Sequence, residues 1–149
     1  MSSDLLRTWW PLLAILVVWA AMSIYGSRRV ARTKAPDIKE IPRKPDHITL
    51  VRRPSVVDIT REYRVEIDGS YAGRISAGEV VQFPVPPGKH TVLLRIDWCK
   101  SPAAEVEMKP GANALLNCGA TYTDWRCQLA PFIWAKNYLY VHPALPSDA

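Results

Sequence analysis

The sequence contains none of the short motifs that mark the commoner catalytic sites. It has no Gly-rich phosphate loop, no G-x-S-x-G turn around a nucleophilic serine and no H-E-x-x-H helix for zinc. Only three cysteines and three histidines occur, and no two cysteines stand in a C-x-x-C arrangement, so the pattern does not predict a metal site. We therefore predict no catalytic residues, no cofactor and no enzymatic activity.

Residues 9–25 lack charged side chains altogether and include one small polar residue, Ser23. As an α-helix, this run and the small residues around it would span about 30 Å, the thickness of the hydrocarbon core of a bilayer. We therefore predict that residues 1–27 contain a transmembrane helix that contacts membrane lipid through residues 9–25. A cleaved signal peptide is the alternative, but no A-x-A cleavage signal follows the run.

The ends of this run carry the residue types that favour the membrane interface. Trp9 and Trp10 stand at one end and Tyr25 at the other, as in an aromatic belt. Pro11 would fall in the first turn of such a helix, where a missing N–H does little harm.

Positive charge is concentrated next to this helix. Residues 1–45 carry eight basic and three acidic side chains, whereas residues 46–149 carry equal numbers of each, so the first part holds the whole net charge of +5. The residues that flank the membrane on the C-terminal side are Arg28, Arg29, Arg32 and Lys34. The positive-inside rule then places the C-terminal domain in the cytoplasm. Because the domain itself is neutral, we expect no nucleic-acid partner.

Residues 28–47 have the composition of a basic, proline-rich juxtamembrane linker. After it, apolar and polar residues alternate as in half-buried strands. We predict strands at 48–52, 61–68, 71–75, 79–85, 90–98, 103–108 and 113–118. Asp68-Gly69 predicts a hairpin, because both central positions of a type I′ turn need positive φ. The predicted fold class is all-β: a small antiparallel β-sandwich over residues 48–120, preceded by one N-terminal transmembrane helix and a Pro/Lys/Arg-rich linker.

Two stretches carry a resemblance to a known module. "VEIDGSYAGRI" (65–75) runs a strand into Asp-Gly and a short return strand, and "FPVPPGKHTVLLRIDW" (83–98) starts a long strand after a Pro-Gly-x-His turn. This order is similar to the PEGA-type module and to small bacterial membrane-anchored proteins of unknown function. The resemblance covers roughly residues 60–119 and implies a non-enzymatic β-sandwich.

The stretch "HTVLLRIDWC" (90–99) contains the residue types of a nucleophilic site. Strand residues alternate faces and advance about 3.3 Å each, so His90 points away from Asp97 and Cys99 and lies roughly 30 Å from Cys99. A working pair needs contact within about 3 Å. We therefore interpret the stretch as a core strand that begins at a solvated His90. Its buried face consists of Val92, Leu94, Ile96 and Trp98.

Cys99 and Cys118 end two predicted strands and bracket a strand-turn-strand unit. They could form a disulfide, which would contribute about 3 kcal/mol in the chain-entropy model and would imply an oxidising compartment. The alternative is a pair of buried thiols, which are common in cores and fit the cytoplasmic orientation.

Aromatic residues are concentrated in the C-terminal segment, residues 121–149. The candidate interface residues are Trp125, Phe132, Trp134, Tyr138 and Tyr140. The segment is too short and too interrupted by polar residues and proline to span a bilayer. Either it packs on the domain with an extra strand at 137–141, or its aromatic side chains dip into the membrane interface or bind a partner.

These features favour a single-pass membrane-anchored binding or assembly module without catalysis, such as an accessory subunit of a membrane complex, with a protein partner. The alternative is an envelope-facing domain that binds a surface polymer or protein and is stabilised by a Cys99–Cys118 disulfide.

Overall fold

The computed structural model describes residues 3–33, 35–38, 40–123 and 130–144. A long helix, α1 (Ser3–Arg32), opens the chain. The strands are β1 (His47–Arg52), β2 (Tyr63–Ile67), β3 (Ser70–Ile75), β4 (Val80–Pro84), β5 (Gly88–Ile96), β6 (Cys99–Lys100), β7 (Ala104–Met108), β8 (Asn113–Ala120) and β9 (Leu139–Pro143). Between β8 and β9 lie a short helix, α2 (Ala130–Ile133), and a 3-10 turn (Ala135–Asn137). The prediction of a β-rich domain after an N-terminal apolar helix is confirmed.

α1 is longer at both ends than the predicted membrane run. Because it begins at Ser3, Pro11 lies inside the helix and not in its first turn. Proline is tolerated inside membrane helices, where neighbouring groups satisfy the freed carbonyl. The part from Trp9 to Arg32 is long and apolar enough to cross a bilayer, and only 6% of its most apolar window is buried against the rest of the chain.

The strands form two sheets. Sheet A has the order β4-β1-β8-β9, and sheet B has the order β3-β2-β5, with β6 and β7 both paired to the other edge of β5. The prediction of antiparallel pairing is wrong for β1 and β8, which run parallel with Ile48 opposite Ala114. No hairpin joins these two strands along the chain, so no turn dictates their relative direction.

The two sheets share one hydrophobic core. Sheet A contributes Ile48, Leu50 and Leu116, and sheet B contributes Val65, Val92 and Leu94, all at most 1% exposed. The alternation of buried and exposed positions along β2 and β5 is that of strands with one face on a core.

Residues 35–38 and 40–46, inside the predicted linker, run along sheet A. Ile38 and Ile41 form a second buried cluster with Val51, near the end of β1. Further along, the Asn113 amide at the start of β8 donates to the Lys44 carbonyl at 2.9 Å. The segment therefore follows the sheet from the end where β1 finishes to the end where it begins.

Two hairpin turns define sheet B. Asp68 and Gly69 have φ of 51° and 75°, so the predicted type I′ turn is confirmed. The long strand β5 ends at Ile96 because Asp97 also takes a positive φ, 49°, and Cys99 returns opposite Ile96. The predicted burial of Trp98 is wrong for this reason: the turn places its side chain outside, 65% exposed.

Candidate binding surface

The strand directions place four connections at one end of the sheets. β1 and β8 both finish there because they are parallel, and β2 starts where β5 finishes because they are antiparallel. This end therefore carries the connection 53–62, the connection 76–79, the turn Asp97-Trp98 and the connection that leads from β8 to β9. A Cβ at Gly26 of α1 would lie 3.1 Å from a methyl of Val56, so the helix touches the first of these connections. We call this end the helix-proximal end.

Exposed apolar side chains cluster at the helix-proximal end. We call this cluster the aromatic surface: Trp98, Phe132, Ile133 and Trp134, which are 65%, 77%, 60% and 42% exposed. The rings of Trp98 and Phe132 lie 6.2 Å apart, and Trp134 contacts Tyr122 at 5.5 Å. Large apolar side chains that meet in one exposed patch are typical of a contact surface.

A pocket of about 220 Å³ opens between these rings. Trp98 and Phe132 form its rim, and Tyr138 and Cys99 line its interior. Arg61 and Asp97, joined by an ion pair, complete the wall. The pocket is therefore apolar at its rim, with one neutralised charge pair beside it.

A buried arginine supports this end from below. Arg52 is 2% exposed and stacks on the Tyr63 ring, with its guanidinium carbon 3.5 Å from the ring centroid. It donates to the carbonyls of Arg61 (2.7 Å), Asp58 (2.7 Å) and Ile75 (3.2 Å). The guanidinium thus supplies donors to two carbonyls of the connection 53–62, and the Asp58 carbonyl also accepts from the Arg61 N–H at 3.0 Å.

A second polar contact joins the connection 53–62 to the chain that leads into β9. The Tyr138 hydroxyl donates to Oδ2 of Asp58 at 2.9 Å, and the Asp58 side chain is 8% exposed. Burial raises the pKa of the Tyr63 hydroxyl, and the nearby Arg52 charge opposes that rise. These groups form a structural network that fixes the base of the aromatic surface.

The two core cysteines lie near this network. Cys99 (4% exposed) and Cys118 (1% exposed) belong to the same hydrophobic core, and the structure holds both as thiols. Burial raises the pKa of the Cys99 thiol, and it raises that of Cys118 to about 12. Thiols this well protonated are poor nucleophiles at neutral pH.

His90 lies at the opposite end, which we call the distal end. His90 is 8% exposed, so the prediction of a solvated His90 is wrong. β5 begins two residues earlier, and the imidazole of His90 points inward beside Val92. Its Nδ1 is 2.7 Å from Oδ2 of Asp68, and its Nε2 is 2.7 Å from the Pro86 carbonyl. The hydrogen bond between His90 and Asp68 raises the pKa of His90 and lowers the pKa of Asp68. Asp68 therefore anchors His90 in addition to forming its own turn, a role that the sequence pattern did not indicate.

An arginine-lined groove of about 710 Å³ crosses the outer face of sheet B. Its arginines are Arg61, Arg64, Arg74 and Arg95, and each makes an ion pair with a carboxylate. The positive charge of the groove is therefore largely neutralised within the domain, which makes it a weaker candidate than the aromatic surface. In the described part of the chain no three His, Cys, Asp or Glu side chains come together as metal ligands.

The structure separates the residues of the predicted interface. Phe132 and Trp134 are exposed, whereas Tyr138 is 3% exposed and packs in the core. Tyr140 is half-buried on β9 and stacks on His142 at 4.9 Å. The strand β9 pairs with β8, so the segment forms an extra strand and an exposed aromatic group together. Trp125 and Lys34 lie outside the described residues.

Sequence reasoning missed two members of the aromatic surface, Trp98 and Ile133. Trp98 continues the alternation of β5 in the sequence, and only the positive φ of Asp97 reveals that it faces outward. Aspartate is one of the few residues that adopt this conformation at modest cost, which was the signal available. No family model, no curated protein and no solved structure matches this chain.

Proposed function

We propose that this chain is a single-pass membrane-anchored, non-catalytic binding and assembly module. In this proposal α1 crosses the bilayer, the two sheets form a small β-sandwich of the PEGA type, and the aromatic surface is the contact surface. The observation that carries the proposal is the exposure of Trp98, Phe132, Ile133 and Trp134 at the helix-proximal end of the domain. A protein partner, for example in a membrane complex of which this chain is an accessory subunit, belongs to the same proposal.

The proposal is tested by the accessibility of the aromatic surface in native membranes. Phe132→Cys and, as control, Tyr71→Cys introduce one exposed thiol each; Tyr71 is a 53% exposed aromatic residue at the distal end. Both are made in a Cys127→Ser background, so that the introduced thiol is the one that is labelled. Cys99 and Cys118 can remain because they are buried. We expect a water-soluble maleimide to label Phe132→Cys about tenfold more slowly than Tyr71→Cys in membranes, since a contact surface excludes water.

Unfolding the protein in denaturant gives the reference rate at which both thiols react without protection. If Phe132→Cys reacts as fast as Tyr71→Cys in native membranes, the aromatic surface faces water there and the proposed contact function fails.

The proposal also places the domain in the cytoplasm. Positive charge beside the helix supports this side, since Arg28 and Arg32 extend α1 as exposed cations directly after the apolar run. Tyr71→Cys should then be labelled only after intact cells are permeabilised. Labelling in intact cells would reverse the orientation.

A second candidate function is an envelope-facing domain that binds a surface polymer or protein. The observation that favours it is the placement of Cys99 and Cys118 in one core cluster, where a disulfide would link the two sheets. Non-reducing mass spectrometry of the protein from its own membranes distinguishes the candidates, because a linked pair of Cys99 and Cys118 peptides lacking two hydrogen atoms requires an oxidising compartment.

A further inference from the structure

The helix-proximal end is held directly at the point where α1 leaves its apolar run. Tyr25 is the last residue of that run, Gly26 follows it, and Gly26 is buried against Val56. The close approach depends on the missing side chain of Gly26, because a Cβ there would already be in tight contact. Val56 is therefore at the depth where the hydrocarbon core gives way to the headgroups.

The segment after α1 keeps the domain close to this point. Residues 35–38 and 40–46 lie along sheet A and end in the distal turns, where the Gly111 N–H donates to Oδ1 of Asp46 at 2.7 Å. β1 then runs back toward the helix, and the connection 53–62 follows it. The segment is packed on the sheet and not extended between domain and membrane, so the domain sits beside the helix exit.

The aromatic surface is joined to Val56 by a short series of contacts. Asp58, two residues after Val56, accepts a hydrogen bond from Tyr138. Asn137, the residue before Tyr138, donates its N–H to the Trp134 carbonyl. Asp58 also lies 3.6 Å from Arg61, which is paired with Asp97, and Trp98 is the next residue. The connection at the membrane boundary and the aromatic surface are thus parts of one rigidly connected end.

Exposed cations at the end of the apolar run of α1 and beside the aromatic surface suit anionic lipid headgroups. Lys136 is exposed two residues after Trp134, Arg28 and Arg32 are exposed on α1 just after Gly26, and Arg53 begins the connection that carries Val56. Asp97, which lines the pocket beside Trp98, is paired with Arg61. Aromatic side chains flanked by cations are the composition of proteins that lie in a membrane interface.

We propose that the aromatic surface inserts into the headgroup region of the leaflet from which α1 emerges, so that the domain is held on the bilayer at two points. This inference rests on the proposed function and names the partner of its contact surface as membrane lipid. The first point is α1 and the second consists of Trp98, Phe132, Ile133 and Trp134. Two attachment points remove the rotational freedom that a single helix leaves, and they fix which face of the sheets points away from the membrane.

Photo-crosslinking in defined membranes tests the inference. The full-length protein, with Phe132 replaced by p-benzoyl-phenylalanine, is reconstituted in vesicles of phosphatidylethanolamine and phosphatidylglycerol, irradiated and measured by intact-protein mass spectrometry. The control carries the same probe in place of Tyr71. We expect about tenfold more lipid adduct at position 132 than at position 71, because an inserted side chain is in continuous contact with lipid. A third protein with the probe in place of Ile133 should behave like the first, which keeps the result independent of local effects at one position.

The other outcomes overturn the inference in distinguishable ways. An adduct to a second copy of the chain assigns the aromatic surface to self-association. Equal, low lipid adduct at positions 132 and 71, combined with protection of Phe132→Cys in native membranes, means that a protein covers the surface: the inference fails and the proposed function stands. Low lipid adduct without such protection removes both.

Discussion

At the distal end of the sheets carboxylates of the turns bind backbone N–H groups, whereas the helix-proximal end depends on buried side chains and leaves a cluster of apolar side chains exposed. Asp68 and Asp46 each take a positive φ and use a carboxylate oxygen to bind a neighbouring backbone N–H, from Thr91 and Gly111. At the helix-proximal end buried side chains make such contacts. Arg52 donates to the Asp58 carbonyl, and Tyr138 donates to the Asp58 carboxylate.

The difference supports the proposal that contacts are made at the helix-proximal end. The distal turns are tied to other parts of the chain through Asp68 and Asp46, and as described they expose no cluster of large apolar side chains. The helix-proximal end presents four large apolar side chains to the outside, a cost that a purely structural loop would avoid. Breaking each end separately therefore distinguishes residues that maintain the fold from residues that make contacts.

The largest effect is expected from Arg52, which supports the helix-proximal end from within the core. Arg52→Met removes donors from three carbonyls, and we expect a loss of about 3 kcal/mol or more in the free energy of unfolding. Arg53→Met is the matched control, because Arg53 is the exposed neighbour and should change stability by at most about 0.5 kcal/mol. Urea unfolding of the full-length protein in a non-ionic detergent, followed by far-UV circular dichroism, measures both. Equal losses in the two variants would show that burial of the guanidinium is not what stabilises this end.

The second prediction breaks the distal end, where His90 bridges Asp68 and Pro86. His90→Leu should cost about 2 kcal/mol near pH 5, because two hydrogen bonds of a charged, buried imidazole are lost. The raised pKa of His90 means that this contribution is complete below its ordinary pKa of 6.5 and is lost as pH rises through the raised value in the folded protein. The difference in unfolding free energy between wild type and variant should therefore shrink toward alkaline pH.

Asp68 determines the acid limb of the same dependence of unfolding free energy on pH, and His90 determines the alkaline limb. Because the bond to His90 lowers its pKa, its contribution is present above the ordinary value of 3.8 and is lost as pH falls through the lowered value. Asp68→Asn keeps a residue that tolerates φ of 51° and should abolish the acid limb while the hairpin remains. It should weaken the alkaline limb without abolishing it, because the bond to the Pro86 carbonyl also raises the pKa of His90. A pH-independent difference in either variant would contradict a charged His90–Asp68 pair.

A smaller effect is expected at Tyr138, which joins the connection 53–62 to the chain before β9. Tyr138→Phe removes the hydroxyl donor of the part-buried Asp58 carboxylate, and we expect a loss of about 1 kcal/mol in unfolding free energy. Tyr71→Phe, on an exposed tyrosine, should leave stability unchanged. Tyr138→Phe should also increase hydrogen exchange in residues 53–62 more than at the distal turns. An equal increase at both places would show that Tyr138 does not hold this connection.

The two ends also differ in how far the sequence predicted them. Asp-Gly with alternating strands on both sides predicted the distal hairpin, because the conformation is set by the two residues themselves. The helix-proximal end depends on buried polar side chains that bind its connections, and their burial leaves no local pattern. Arg52 looks like the polar end of a strand, and its burial follows only from carbonyls that lie up to 23 residues away. Trp98 fits the alternation of β5, and its exposure follows from the conformation of one aspartate.

The smallest effect on stability is expected from the aromatic surface itself, and this prediction separates contact from folding. Trp98→Ser and Phe132→Ser remove side chains that are already 65% and 77% exposed, so the free energy of unfolding in detergent should change by at most about 0.5 kcal/mol. Leu50→Ala, in the core between the sheets, provides the scale, with an expected loss of about 3 kcal/mol. The double serine variant should nevertheless allow a maleimide to reach Ile133→Cys in membranes, where the parent surface protects it. A loss near that of Leu50→Ala would mean that Trp98 and Phe132 stabilise the fold, and their exposure would then no longer argue for a contact surface.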